Sequence, residues 1–231
     1  MRRLAPFLLT AALLAPVAVT FTASEPAAMA SIERLKAGNA TFMAHPEEAL
    51  PISSARRAEL VTGQTPFASV LSCADSRVPP EVVFHTGLGD LFVVRAAGEV
   101  TDKSVLASLE YAAEHLHSPL IVVMGHESCG AVKAAMDTPV TTSLGANLDY
   151  LLKAIRPSVA AVAAEPEANR LRAAILKNVE ASINDMVNGS PMLKKMVDEG
   201  EIGVVGAYYE LASGRVHFSE PVLKAAPGAR Q

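Results

Sequence analysis

"SVLSCADSRVPPE", residues 69–81, opens as a continuous apolar run and ends by placing a cysteine, an aspartate and an arginine within five positions. From Phe67 to Cys73 the chain lacks the alternation of a half-wet strand, which predicts a strand buried on both faces. Two further runs read the same way: "LFVVRA" from Leu91, and "PLIVVMG" from Pro119, which leads into "HESCG". Between and after them lie helical patterns, "DKSVLASLEYAAEHLH" from Asp102 with an aspartate or serine cap, and "CGAVKAAMD" from Cys129. This alternation predicts an α/β fold with a mostly parallel central β-sheet flanked by helices.

Outward from that centre, "SIERLKAGNATFMA" predicts an N-terminal amphipathic helix with Ile32, Leu35 and Phe42 on one face, Ser31 as its cap and Gly38 as a weak point. "SARRAELVTGQ" predicts a short helix closed by Gly63. Residues 147–200 form a helical C-terminal section with an apolar stripe of Leu171, Ile175, Val179, Ile183 and Met186, broken or started at Pro157 and Pro191. "IGVVGAYYELASGRVHF" predicts a strand, a turn at Ser213 and Gly214, and a return strand.

The chain has 231 residues, half of them hydrophobic, enough for one ordinary core. Residues 1–30 differ from the rest: "MRR" is basic, "LAPFLLTAALLAPVAVTF" is apolar, and small residues follow. That layout predicts a removable export signal, with cleavage near Thr22–Ser24 or near Ala28–Ala30, leaving residues 31–231 as a single domain in the periplasm with no membrane segment. The net charge of −4 and the lack of any basic run argue against a nucleic-acid partner. "GLGD" at residues 87–90 does not fit a dinucleotide-binding glycine pattern.

Two cysteines in an exported chain first suggest a disulfide, and with it a structural or binding domain. The neighbouring residues suggest otherwise. Cys73 follows one predicted strand, and His126 and Cys129 follow another at a His-x-x-Cys spacing, so adjacent strands would bring all three to one point. Two thiolates, an imidazole and an open fourth position describe a catalytic zinc site. Asp75 and Arg77 succeed Cys73 at alternate positions, which on an extended segment puts a guanidinium-held carboxylate beside the metal.

These residues resemble the β-class carbonic anhydrases, in "CADSRVPPE" (73–81), "GDLFVVRAAG" (89–98), "ASLEYA" (107–112) and "GHESCGAV" (125–132). The resemblance implies Cys73, His126 and Cys129 as Zn2+ ligands, Asp75 and Arg77 as a catalytic dyad, and Asp75 as an alternative fourth ligand in a closed state. It implies reversible hydration of carbon dioxide to bicarbonate by hydroxide generated at zinc, with carbonyl sulfide or carbon disulfide hydrolysis as the alternative on the same scaffold. Phe92 and Ala97 would line the substrate pocket, and Gln64 would lie near the bound ion. A homodimer or larger homo-oligomer is implied too, paired through the N-terminal helix.

The chain departs from that family pattern in two places. Arg95, Ala96, Ala97, Gly98 and Glu99 stand where relatives carry two asparagines, and there is no tryptophan for the bicarbonate pocket of some regulated members. Among the other histidines, His115 and His117 read as surface residues in the last turn of a helix. His85 is a candidate proton relay.

Overall fold

The computed structural model describes residues 24–222. Five strands, β1 (Ala68–Ser72), β2 (Leu91–Arg95), β3 (Leu120–His126), β4 (Gly203–Tyr209) and β5 (Val216–Phe218), form one sheet. Its order is β2-β1-β3-β4-β5. All neighbours are parallel except β4 and β5. Every residue of β1, β3 and β4 is buried, as expected for strands covered by helices on both faces.

Alternate strand residues feed two cores. Val70, Val122, Met124 and Val205 face one side, where α1 (Ser24–Ala44), α5 (Gly130–Asp137) and α6 (Ala146–Ala161) pack. Leu71, Ile121, Val123 and Val204 face the other, against α4 (Lys103–Glu114) and α8 (Pro191–Asp198). The long α7 (Glu167–Gly189) contributes Ile175 to the first core, and Val179 and Met186 to the second. Two short helices complete the set, α2 (Ser54–Glu59) and α3 (Pro80–Val83), the latter not foreseen in the sequence.

The predicted cap holds at α4, where the Asp102 carboxylate accepts from Ser104 N and Val105 N, and Pro191 marks the start of α8 behind a capping Ser190. Pro157 lies inside α6 and does not break it. The backbone bond forgone there is offset by the packing of Leu152, Ile155 and Ser158 in the same helix.

The N-terminal helix is already formed at Ser24, the first described residue, seven residues before the expected cap. Ser31 is a buried mid-helix residue whose hydroxyl donates to Ala27 O and Phe67 O. Ala28, Ile32 and Leu35 are buried in the chain's own core, so the apolar face expected to pair with a second subunit is already covered. Full burial of Ile32 and Leu35 contributes about 2 kcal/mol each. Gly38 is a point of close approach: a Cβ there would lie 1.9 Å from the Phe84 carbonyl oxygen.

Beside it, Asn39 joins three segments. Its Nδ2 donates to Val83 O at 3.0 Å and Gly214 O at 2.8 Å, and its Oδ1 accepts from Val216 N at 2.9 Å. Asn39→Ala leaves three backbone groups unpaired in the interior and is expected to lower the unfolding free energy by about 3 kcal/mol in urea titration. A loss below about 1 kcal/mol would contradict this role.

Candidate metal centre

In the strand order β2-β1-β3-β4, the connection from β1 leads to one side and β3 lies on the other, so the carboxyl ends of β1 and β3 flank a crevice. Cys73 follows the last residue of β1, and His126 is the last residue of β3. Ser128, with φ 55°, turns the chain back, and Cys129 heads α5. Reactive atoms from sequence positions more than fifty residues apart therefore meet because two parallel strands pair in register, Ser72 opposite Met124.

Cys73 and His126 are each held from behind. Arg95, at the end of β2, donates Nε to the Cys73 carbonyl at 3.0 Å and Nη2 to the Asp75 carbonyl. The Gly98 amide donates to Cys73 Sγ at 3.3 Å. His126 Nδ1 lies 2.9 Å from the Glu127 carbonyl, which favours the tautomer protonated at Nδ1 and leaves Nε2 with a lone pair. Glu127 is anchored in turn, its amide donating to Tyr209 O and its carboxylate accepting from Leu211 N.

The two Sγ atoms lie 4.0 Å apart and both cysteines are free, which removes the disulfide reading. The ligand atoms of Cys73, His126 and Cys129 all fall within 4.8 Å of one another, and all three residues are buried. His126 Nε2 is buried without a hydrogen-bond partner among the described residues. A buried, unpaired nitrogen facing two sulfurs is a polar cost unless an ion takes all three. Two sulfurs and one imidazole nitrogen suit zinc, and the triad is its binding site.

The two sulfurs are in hydrogen-bond contact with each other. A hydrogen bond from Cys129 stabilises the Cys73 thiolate against the opposing effect of burial and lowers its pKa. The same bond, followed by burial, pushes Cys129 far upward. Burial is the largest influence on His126 and acts downward, but the Cys73 sulfur, the Glu127 carbonyl and Asp75 together raise it.

Asp75 and Arg77 do meet, although not through an extended segment. Residues 75–78 form a turn in which Val78 N donates to Asp75 O and Arg77 N to Asp75 Oδ1. Arg77 Nε reaches Oδ1 at 2.8 Å and Nη2 reaches Oδ2 at 2.6 Å, a two-pronged grip. Nη2 also donates to Ser128 O at 3.3 Å, tying the loop after β1 to the loop after β3. Asp75 Oδ2 lies 3.9 Å from His126 Nε2. The Arg77 hydrogen bond holds the Asp75 carboxyl well below the usual carboxylate range, so it accepts hydrogen bonds and does not donate them.

The pocket residues expected by resemblance fall in different places. Ala97 is half-buried and opens the tight turn that presents Gly98 to Cys73. Phe92 lies on the edge strand with its ring centroid 6.2 Å from that of Tyr111 on α4. Gln64 is exposed in a cleft with Arg57, Val61 and Leu88, whose lining includes none of the triad. His85 Nε2 faces Glu48 at 3.8 Å. His115 caps the C-terminus of α4, and His117 lies beyond the helix with φ 53°.

Three residues of the centre were not foreseen. Arg95 braces the Cys73 loop, as described. Glu99 is fully buried next to the Gly98 turn, where desolvation, partly opposed by Asn178, pushes its carboxyl up to about 8. Asn178 on α7 donates to Glu99 Oε1 at 2.8 Å. The one sequence signal was the charged residue at position 99, at the end of the stretch that departs from the resembled pattern.

Residues 68–216 match the carbonic anhydrase family model. The carbonic anhydrase of Mycolicibacterium smegmatis is 40% identical over 195 residues, covering 82% of this chain and 92% of that protein. Carbonic anhydrase 2 of Mycobacterium tuberculosis is 38% identical over 192 residues, covering 81% and 90%. Among solved structures, the Coccomyxa β-carbonic anhydrase in complex with acetazolamide is similar with a TM-score of 0.67 and 28% identity, covering 73% of this chain and 79% of that one. Tetrameric β-carbonic anhydrases from Sordaria macrospora give a TM-score of 0.64 at 26% identity, covering 83% and 95%. With the match running through both strands that carry the triad, the chain belongs to the β class of the carbonic anhydrase family.

Proposed function

We propose that this chain interconverts carbon dioxide and bicarbonate as an exported homo-oligomer, with Asp75 as catalytic residue and Arg77 as the group that positions it. The observation that carries the reading is the convergence of Cys73, His126 and Cys129 next to a carboxylate gripped on both oxygens. Zinc, when bound by the triad, supplies a Lewis acid that makes water acidic enough to react near neutral pH. Asp75, held ionised by Arg77, would accept a hydrogen bond from the attacking oxygen and so aim that oxygen's lone pair at the carbon of carbon dioxide. Arg77 keeps that carboxylate from turning toward the metal as a fourth ligand. Ala97 offers a small apolar wall beside the centre, and Phe92 and Gln64 are assigned to the pocket on family grounds alone.

Export is supported by the basic start and apolar run of residues 4–21, which lie outside the described residues. Among the described residues no helix is long and apolar enough to cross a membrane. Because Ala28 packs into the core, we assign cleavage to the earlier of the two expected points, near Thr22–Ser24. A cleaved export signal in a bacterial chain would deliver it to the periplasm, the compartment we assign. For oligomerisation, the covered face of α1 gives no support. The exposed Ile52, Val61 and Leu88 near α2 do, together with the tetrameric Sordaria proteins.

The purified mature chain is expected to hydrate carbon dioxide with one zinc per chain in a stopped-flow assay. Arg77→Ala is expected to lower kcat at least tenfold with zinc content unchanged. An inactive zinc-loaded chain, or one that turns over carbonyl sulfide faster than carbon dioxide, would contradict the assignment.

Proton competition sets the pH dependence of loading. Because Cys129 holds its proton and His126 is raised, zinc must displace protons to bind, and acid favours the empty site. In chelator competition the zinc Kd is therefore expected to rise by about tenfold or more for each unit of acidification below pH 8. A Kd that does not change with pH would contradict it.

A further inference from the structure

The Gly98 amide that donates to Cys73 Sγ belongs to an unusual turn. Gly98 has φ 63° and Glu99 has φ 43°, two successive left-handed residues, the second of them a non-glycine. Left-handed backbone costs a residue with a side chain about 1–2 kcal/mol and persists only where its surroundings fix it. A side chain at Gly98 would be strained by its φ of 63° and would push Ile155 Cδ1, which lies 2.8 Å from the position of an added Cβ.

One side chain fixes both residues. Asn178, 2% exposed on α7, donates its Nδ2 to the Gly98 carbonyl at 2.7 Å and to Glu99 Oε1 at 2.8 Å. Both amide hydrogens are spent on this turn, which lies 79–80 residues away in sequence. The turn also borders the second ligand segment: a Cβ on Gly125, which precedes His126, would lie 3.5 Å from Glu99 Oε1 and 2.7 Å from Val179 Cγ2. Gly125 therefore lets α7 approach closely enough for Asn178 to reach.

We propose that Asn178 is a positioning residue for the metal centre, holding the Gly98–Glu99 turn so that the Gly98 amide donates to the Cys73 sulfur. The proposal rests on the zinc reading of the triad. A donor aimed at a ligating thiolate removes part of its charge, fixes its direction and slows its departure from the metal. Glu99 acts as the acceptor that occupies the second amide hydrogen, a role that glutamine fills equally well.

The test uses the mature chain, Asn178→Leu and Glu99→Gln, each loaded with zinc or with cobalt. Zinc transfer to a chromophoric chelator is expected to be about 10–100-fold faster in N178L than in the parent, and within about threefold of the parent in E99Q. The cobalt form of N178L is expected to show an altered thiolate-to-metal charge-transfer band, with far-ultraviolet circular dichroism like the parent's. A folded N178L with parental zinc release and parental cobalt band would overturn the proposal and leave the zinc reading intact. A parent chain with no thiolate band would overturn the zinc reading first. Should N178L fail to fold, hydrogen exchange on the zinc-loaded parent decides: a Gly98 amide protected like the sheet supports the proposal, and exchange at the rate of an exposed loop overturns it.

Discussion

The parallel pairing of β1 with β3 is the constraint on which the rest of the molecule depends. It sets the end of "SVLSC" beside the end of "IVVMGH", and no local structure could bring Cys73 to His126 across that distance in sequence. The pairing is stable because both strands are buried on both faces, which requires helices on each side and therefore the crossovers that the chain provides. The strand order then opens a crevice at the carboxyl ends of β1 and β3, and the chemistry lies there.

The centre conflicts with its own burial until a cation enters. An imidazole nitrogen without a partner among the described residues, two sulfurs in contact and a fully buried carboxyl lie within one interior region. Leaving a buried polar group unpaired costs about 1–3 kcal/mol, so the fold carries these groups at the expense of stability. What keeps them in place is a frame of backbone-directed bonds. Arg95 braces the Cys73 loop, Glu127 braces the His126 loop, and Arg77 joins the two through Ser128 O. Asp75 is thereby held as an ionised acceptor by a cation that also bonds the loop after β3.

Most of the sheet and all three ligands were legible in the sequence because each signal was local. Continuous apolar runs marked the buried strands, and Cys73, His126 and Cys129 stood where those runs gave out. The start of α1 was not legible, since the small residues 24–30 read as the tail of a leader while Ala28 serves the core. The Asp75–Arg77 pair was found for the wrong geometric reason: a turn, rather than strand alternation, brings the two together. The roles of Arg95, Glu99 and Asn178 are not legible in the sequence because they lie in contacts to residues 20–80 positions away, which carry no periodicity. His117 was misplaced because α4 stops at Glu114, a boundary with no proline or glycine to announce it.

X-ray absorption at the zinc edge, recorded on the purified mature chain, tests the central claim most directly. The account predicts a first shell of two sulfurs and one imidazole nitrogen, with one light atom from oxygen completing it. A shell without sulfur, or zinc-free protein whose Cys73 and Cys129 are joined covalently, would contradict it.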